Sequence, residues 1–271
     1  MPIIHIYLVC YCKEGVSAMC ELFGFYASKE KRLQPYLTEF FRHSVRHPNG
    51  WGLATFENGE PNVHTEMISA EKSRILPELV NSLPDSKLLL AHIRRATIGG
   101  VKPENCHPFV RTDVSGRTWT LMHNGTIFSG NELNRYMEIQ NGDTDSERIL
   151  LYLMDRINQK TDRTGLVLSL ENRIETVEEA IRELSYRNKL NLLIYDGSVL
   201  YAHVNMLDTL FVRQEDGGVM ISTTPLETSG WEPLPLNSLL VYDNGTLVYQ
   251  GENHRNEYID VMGRITLEYN L

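Results

Sequence analysis

The chain has 271 residues, 42% of them hydrophobic and 23% charged, and a formal net charge of −9. That length and apolar content suffice for one large domain or two small ones with a buried core. The acidic balance excludes general binding to nucleic acid or to an anionic membrane surface, and no apolar run is long enough to span a bilayer.

The first stretch, MPIIHIYLVCYCKEGVSAM, differs in character from the rest of the chain. Val16-Ser17-Ala18 has the small residues of a signal-peptidase site, but no positive charge precedes the apolar run and His5 interrupts it. Residues 1–19 are therefore expected to be an extension absent from the mature protein, through an upstream start before Met19 or as a propeptide. Cys20 would then be the first residue, carrying a thiol and a free α-amine together. The four cysteines, Cys10, Cys12, Cys20 and Cys106, form no spaced framework. That argues against a disulfide scaffold or a metal site and for a reducing, cytoplasmic compartment.

From 20 to 271 no linker or repeat divides the chain, and one domain is expected. β-rich runs dominate: ELFGFYA, WGLATFEN, KLLLAHIRRAT, TWTLMHNG, LNLLIYDGSVLYAHV, TLFVRQEDGGVMIST and SLLVYDNGTLVYQ. Asn58-Gly59, Asp196-Gly197, Gly217-Gly218 and Asn244-Gly245 tolerate the positive φ angles of tight hairpins, so the sheets are expected to be antiparallel. Helical patterns lie between the runs. A short one covers LTEFFRHSV. A stronger one covers TDSERILLYLMDRINQ, with Thr144 and Glu147 at capping-box spacing and Ile149, Leu150, Leu153 and Ile157 on one face. A third stripe holds Ile174, Val177, Ala180, Ile181 and Leu184. The pattern is α+β.

Four stretches could carry chemistry, and each has a bland alternative. Cys20 is either a buried small hydrophobe or, at a mature N-terminus, a nucleophile with its own base. Arg94 and Arg95 follow a strand-like run, where they either meet solvent or clamp a carboxylate. Asn124-Gly125 is either another hairpin turn or an oxyanion hole made from a side-chain amide and a bare backbone N–H. Asp145 sits favourably in a first helical turn whatever else it does, or it receives a substrate ammonium.

The order of these stretches is informative. MCELFG, NGWG at 49–52, AHIRRAT at 91–97, NCHPF at 105–109, HNGTI at 123–127 and TDSE at 144–147 together resemble the class II glutamine amidotransferases, which are N-terminal-nucleophile enzymes. STTPLE and WEPLPLNSLLVY look like the stand-alone branch of that family, which includes relatives acting on γ-glutamyl compounds. The resemblance covers nearly the whole chain from Met19.

It implies an αββα sandwich of two stacked antiparallel sheets flanked by helices. It implies that Cys20 attacks the glutamine side-chain amide and that Asn124 and Gly125 form the oxyanion hole. Arg94 would bind the α-carboxylate with Thr97 in the same wall, Asp145 would bind the α-ammonium, and His107 and His123 would support the substrate site. Ammonia would leave, and a γ-glutamyl thioester would hydrolyse to glutamate. No metal or cofactor is called for. The implied partners are glutamine or a γ-glutamyl small molecule, with a separate synthase subunit as a candidate ammonia acceptor; self-association is left open. Amino-sugar-forming members tend to carry Trp and His where Arg95 and Ile98 stand, so the acceptor stays open. Two alternatives remain: a hydrolase of γ-glutamyl peptides or thiol conjugates with no ammonia acceptor, and an inactive binding module if the extension is retained.

Overall fold

The structure, a computed structural model, describes residues 20–260. The expected extension 1–19 and the end of the expected domain, 261–271, lie outside the described residues. Among the described residues, thirteen strands form two sheets. The strands are β1 (Glu21–Lys31), β2 (Trp51–Glu57), β3 (Glu60–Glu66), β4 (Ser86–Ile93), β5 (Phe109–Thr112), β6 (Thr118–Thr126), β7 (Lys189–Tyr195), β8 (Leu200–His203), β9 (Phe211–Glu215), β10 (Gly218–Ser222), β11 (Glu232–Pro233), β12 (Leu239–Asp243) and β13 (Thr246–Gln250). The first sheet runs β11-β9-β10-β1-β4-β2-β3 and the second β13-β12-β8-β7-β6-β5, with antiparallel pairing throughout. The α-helices of the described residues that cover them are α1 (Gln34–Arg42), α2 (Leu76–Ser82), α3 (Asp145–Thr164) and α4 (Leu170–Leu184).

Side-chain alternation along the strands separates the apolar residues into three layers. Phe23, Phe25, Leu89, Ala91 and Ile93 point outward from the first sheet and pack with Leu37, Phe40, Leu76 and Val80 of α1 and α2. Trp119, Leu121, Leu190 and Leu192 point outward from the second sheet onto Leu150, Leu153, Ile157, Val177 and Ile181 of α3 and α4. Leu22, Leu90, Met122, Leu193, Ala202, Val219 and Ile221 fill the space between the sheets. The result is the αββα sandwich.

Two of the expected turn dipeptides take positive φ at both residues; Asp196-Gly197 and Gly217-Gly218 do so only at Gly197 and Gly217, and Gly218 already belongs to β10. Asn58-Gly59 and Asn244-Gly245 take positive φ at both residues and join β2 to β3 and β12 to β13. Asn124-Gly125 does not. It lies inside β6, paired with Asn191 and Leu190 of β7, which removes the turn reading. Thr144 caps α3 by accepting from the Glu147 N–H at 3.2 Å, but the second half of the expected capping box is absent. Glu147 instead accepts from the N–H groups of Asn141 and Gly142 and pairs with Arg111, tying the preceding loop to the helix.

Candidate active site

The same alternation that builds the middle layer brings polar side chains together at one of its ends. Cys20 precedes β1 and shares the parity of Leu22; Arg94 follows β4 and shares the parity of Leu90. Asn124 shares the parity of Met122 on β6, and Lys189 that of Leu193 on β7. Antiparallel pairing of β1 with β4 and of β6 with β7 puts all four at the same end.

Cys20 is half-buried. Its Sγ lies 3.2 Å from the Arg95 carbonyl oxygen and accepts from the Arg95 N–H at 3.3 Å. Burial pushes the thiol up, opposed by the Arg95 contact and by the positive charges of Arg94 and Lys189, while Asp145 acts with the burial. The thiol is therefore a poor spontaneous thiolate and needs a proton acceptor to react at neutral pH.

The two arginines part company. Arg95 is exposed, whereas Arg94 is 2% exposed and its guanidinium donates to the carbonyls of Gly100 (3.0 Å), Ile98 (3.2 Å) and Gly99 (3.4 Å). Arg94 thus holds the loop that follows it. The NGWG segment secures the other side, since Asn49 Oδ1 accepts from the Ala96 N–H at 3.0 Å and the Arg94 N–H donates to the Gly50 carbonyl at 2.8 Å. A clip closes the far end of the loop. Asp143 accepts from the Gly100 N–H at 3.0 Å, from Lys102 at 2.8 Å and from buried Asn105. Lys102, and then Asn105, hold the Asp143 carboxyl down at about 2. Thr97, on this loop, is exposed.

Asn124 is 1% exposed; its Oδ1 accepts from Lys189 Nζ at 3.4 Å and its Nδ2 donates to Thr223 Oγ1 at 3.5 Å. Thr223, just beyond β10, also accepts from the Leu22 N–H at 2.9 Å, so Asn124 is linked to β1 through this one hydroxyl. Gly125 is also demanded by packing. A Cβ there would lie 2.0 Å from the Lys189 carbonyl oxygen and 2.4 Å from His123 Nε2. Only glycine lets β6 and β7 meet there.

Asp145 opens α3 and is buried. Its Oδ2 accepts from the Ile127 N–H at 2.8 Å, and its Oδ1 from the Ser146 N–H at 2.9 Å. The carboxylate therefore fixes the end of β6 against the helix N-terminus, where a negative charge is favoured.

The two histidines lie deeper. His123 points to the helix side of its sheet. Its Nε2 donates to the Lys189 carbonyl at 3.2 Å, which leaves Nδ1 to accept from the Ser146 hydroxyl at 3.0 Å. Both ring nitrogens are committed, so this ring has none left for a bound molecule. His107 is 3% exposed and stacks on buried His92 with ring centroids 4.0 Å apart. Burial, together with neighbouring charge, holds His107 well below the usual histidine range and His92 at about 3, so both are neutral. Lys189, Thr223 and Ser146 did not stand out in the sequence. The available signal for Lys189 was a lysine beginning KLNLLIY, a strand apolar on both faces and so buried.

Residues 19–215 match the sequence profile described as class II glutamine amidotransferases. The chain belongs to this family. Family members are amide hydrolases, and this chain has the N-terminal-nucleophile fold. Among its relatives, the Escherichia coli protein YafJ, provisionally named a glutamine amidotransferase, is 30% identical over 192 residues, covering 68% of this chain and 72% of YafJ. The γ-glutamyl-hercynylcysteine sulfoxide hydrolase of Mycolicibacterium smegmatis is 26% identical over 212 residues, covering 75% of this chain and 81% of its own length. The solved structure of glutamine phosphoribosylpyrophosphate amidotransferase from B. subtilis superposes with a TM-score of 0.63 at 16% identity, covering 87% of this chain. This chain spans 49% of that structure's chain, about half its length. None of the described helices is long and apolar enough to cross a membrane.

Proposed function

We propose that this protein hydrolyses the side-chain amide of glutamine, with Cys20 as the nucleophile. The observation that carries the reading is the convergence, at one end of the inter-sheet layer, of a thiol with a guanidinium, a carboxylate and a side-chain amide. Glutamine is a zwitterion with an amide tail, and recognition needs one cation, one anion, a nucleophile and a stabiliser for the developing oxyanion. Arg94 binds the α-carboxylate, with Thr97 in the adjoining wall, and Asp145 binds the α-ammonium. Asn124 Nδ2 and the Gly125 N–H stabilise the oxyanion, while His107 and His123 support this wall from behind.

In the reaction, Cys20 Sγ attacks the amide carbon and its proton passes to the α-amine of the same residue. That amine is available only when Cys20 is the first residue, so removal or non-translation of residues 1–19 is part of the proposal. The tetrahedral intermediate collapses with the C–N bond breaking. The amine returns the proton to the leaving nitrogen, and ammonia departs from a γ-glutamyl thioester. Water, deprotonated by the same amine, attacks the thioester to give glutamate and the free thiol. The burial that pushes the Cys20 thiol up is the reason such a base is required.

A second reading is favoured by the hydrolase relative: the γ-glutamyl group is carried by a peptide or thiol conjugate, and no ammonia is passed on. If ammonia is passed on, a synthase takes it up, and a separate synthase subunit is one candidate.

The test combines intact mass with labelling by an electrophilic glutamine analogue, such as its chloroketone, followed by product analysis. The expected result is a mature chain beginning at Cys20, one label on that residue, and release of glutamate and ammonia from glutamine. Release of glutamate from conjugates alone would select the second reading. A mature chain that retains residues 1–19 and takes no label would overturn both and leave an inert binding module.

A further inference from the structure

Lys189 opens β7, whose residues are buried along its whole length. Lysine is among the residues least often fully buried, because the interior penalises its charge, yet Lys189 is 1% exposed. Its parity with Leu193 sends the ammonium into the inter-sheet layer at the Cys20 end rather than out to the helices. There Nζ donates to Asn124 Oδ1 at 3.4 Å, and Asn124 Nδ2 faces Thr223 Oγ1, which is bonded to the backbone of Leu22 two residues from the thiol.

An amide group can be flipped, exchanging its oxygen for its NH2. An ammonium has three donors and no acceptor. It can therefore meet only the amide oxygen, and it fixes the NH2 on the opposite side, toward the Cys20 strand. With the amide reversed, an oxygen would face the developing oxyanion and repel it. The backbone of Lys189 is itself pinned, because its carbonyl accepts from His123 Nε2 at 3.2 Å and abuts Gly125.

We infer that Lys189 is a positioning residue for amide hydrolysis: its ammonium holds Asn124 with the NH2 turned toward the carbonyl oxygen under attack and adds positive charge beside the Cys20 sulfur. The inference rests on the roles proposed above for Cys20 and Asn124. The ammonium also has a working range. Burial lowers Lys189 to about 8, while the charges of Cys20 from the β1 end and Asp260 from the C-terminal segment pull the other way. His123 behind it is neutral, and Arg94 and Asp145 complete the charges around the thiol. Below that pH the ammonium is in place. Above it, a neutral amine can accept as well as donate, and its control of the amide lapses.

The experiment compares mature wild-type enzyme with Lys189→Met and Lys189→Arg, measuring kcat, KM and their pH profiles, alongside labelling of Cys20 by the chloroketone of glutamine. Losing an oxyanion-hole donor costs about 100-fold or more in turnover, so misorienting one is expected to cost Lys189→Met about 10- to 100-fold in kcat with KM within about threefold. The wild-type profile should fall above about pH 8, and Lys189→Met should lose that limb. Lys189→Arg should restore most of kcat and move the limb upward, since guanidinium does not titrate there. Lys189→Met with kcat within about threefold of wild type, or with its loss confined to KM, would overturn the inference. Should Lys189→Met fail to fold, Lys189→Gln decides, because it has no group titrating near pH 8; a basic limb that persists in it also overturns the inference. Wild-type enzyme that takes no label at Cys20 would instead refute the underlying reading of the site.

Discussion

The inter-sheet layer has two ends built from the same four strands, and they have opposite chemistry. Passing along β1, β4, β6 and β7, the inward positions at one end are Cys20, Arg94, Asn124 and Lys189. In the middle they are Leu22, Leu90, Met122 and Leu193. At the other end they are Tyr26, Leu88, Thr120 and Tyr195, with the Tyr195 ring 5.0 Å from Phe56 and 5.7 Å from Tyr26. The aromatic end has only to fill space, apart from hydroxyls such as that of Tyr26, which donates to the Ser198 carbonyl at 2.7 Å. The polar end buries a guanidinium, an ammonium and an amide, which an interior tolerates only when each has partners. A fold gains nothing in stability from such an end, so its cost points to function.

The sharpest way to break this contrast is Cys20→Ala. Removing the thiol is expected to reduce turnover by a factor of about 1,000 or more, while the melting temperature moves by no more than about 2 °C because the side chain is only half-buried. Steady-state kinetics and a thermal melt on one preparation check both. A large loss of stability with turnover intact would mean that Cys20 belongs to the packing end of the contrast.

Leu193→Ala is the reciprocal change. Leu193 is fully buried in the middle layer, so its truncation should cost about 2–5 kcal/mol of stability through lost burial and an unfilled cavity. Turnover per folded molecule should stay within about twofold. Denaturant unfolding together with active-site titration separates the two effects.

Arg94→Ala comes next in size. Loss of a charge-assisted clamp should raise KM by about 30- to 100-fold. A smaller fall in kcat, about tenfold at most, is expected because the carbonyls of Ile98, Gly99 and Gly100 lose their donor and the loop loosens. Arg95→Ala, at an exposed neighbour, is the internal control. A KM unchanged in both would place carboxylate recognition elsewhere.

Much of the fold was legible because hairpins and stripes are local. Asn58-Gly59 and Asn244-Gly245 announce their turns, and the α3 and α4 stripes announce their buried faces. What was missed is what local pattern does not encode. β3 reads EPNVHTE, a polar edge strand with little alternation, and β5 has only four residues. α2 is seven residues long and contains a proline. At the site, Asn124-Gly125 could not be told from a turn, since the dipeptide suits both; pairing of β6 with β7 decides it. The contact of Lys189 and Thr223 with Asn124 is likewise not local, although the buried strand that Lys189 opens is itself a signal. A lysine at a strand start normally meets solvent, and a threonine after a strand is ordinary. Only the packing of one sheet on the other turns both into neighbours of Asn124.

Thr223 gives the finest test of how the polar end is assembled. Its hydroxyl oxygen accepts from the Leu22 N–H at 2.9 Å and faces Asn124 Nδ2 at 3.5 Å, so it joins the strand bearing the thiol to the amide on the opposite sheet. Thr223→Val keeps the shape and removes the acceptor. The Leu22 N–H then loses a partner, which should cost about 1–2 kcal/mol of stability. Turnover should fall only about three- to tenfold, because Asn124 keeps its orientation through Lys189 while losing the link that sets its distance from Cys20. Combining Thr223→Val with Lys189→Met should then exceed the product of the single losses in kcat, since both act on one amide. Simple multiplication of the two effects would mean that Thr223 braces β1 alone and that the orientation of Asn124 is held from one side only.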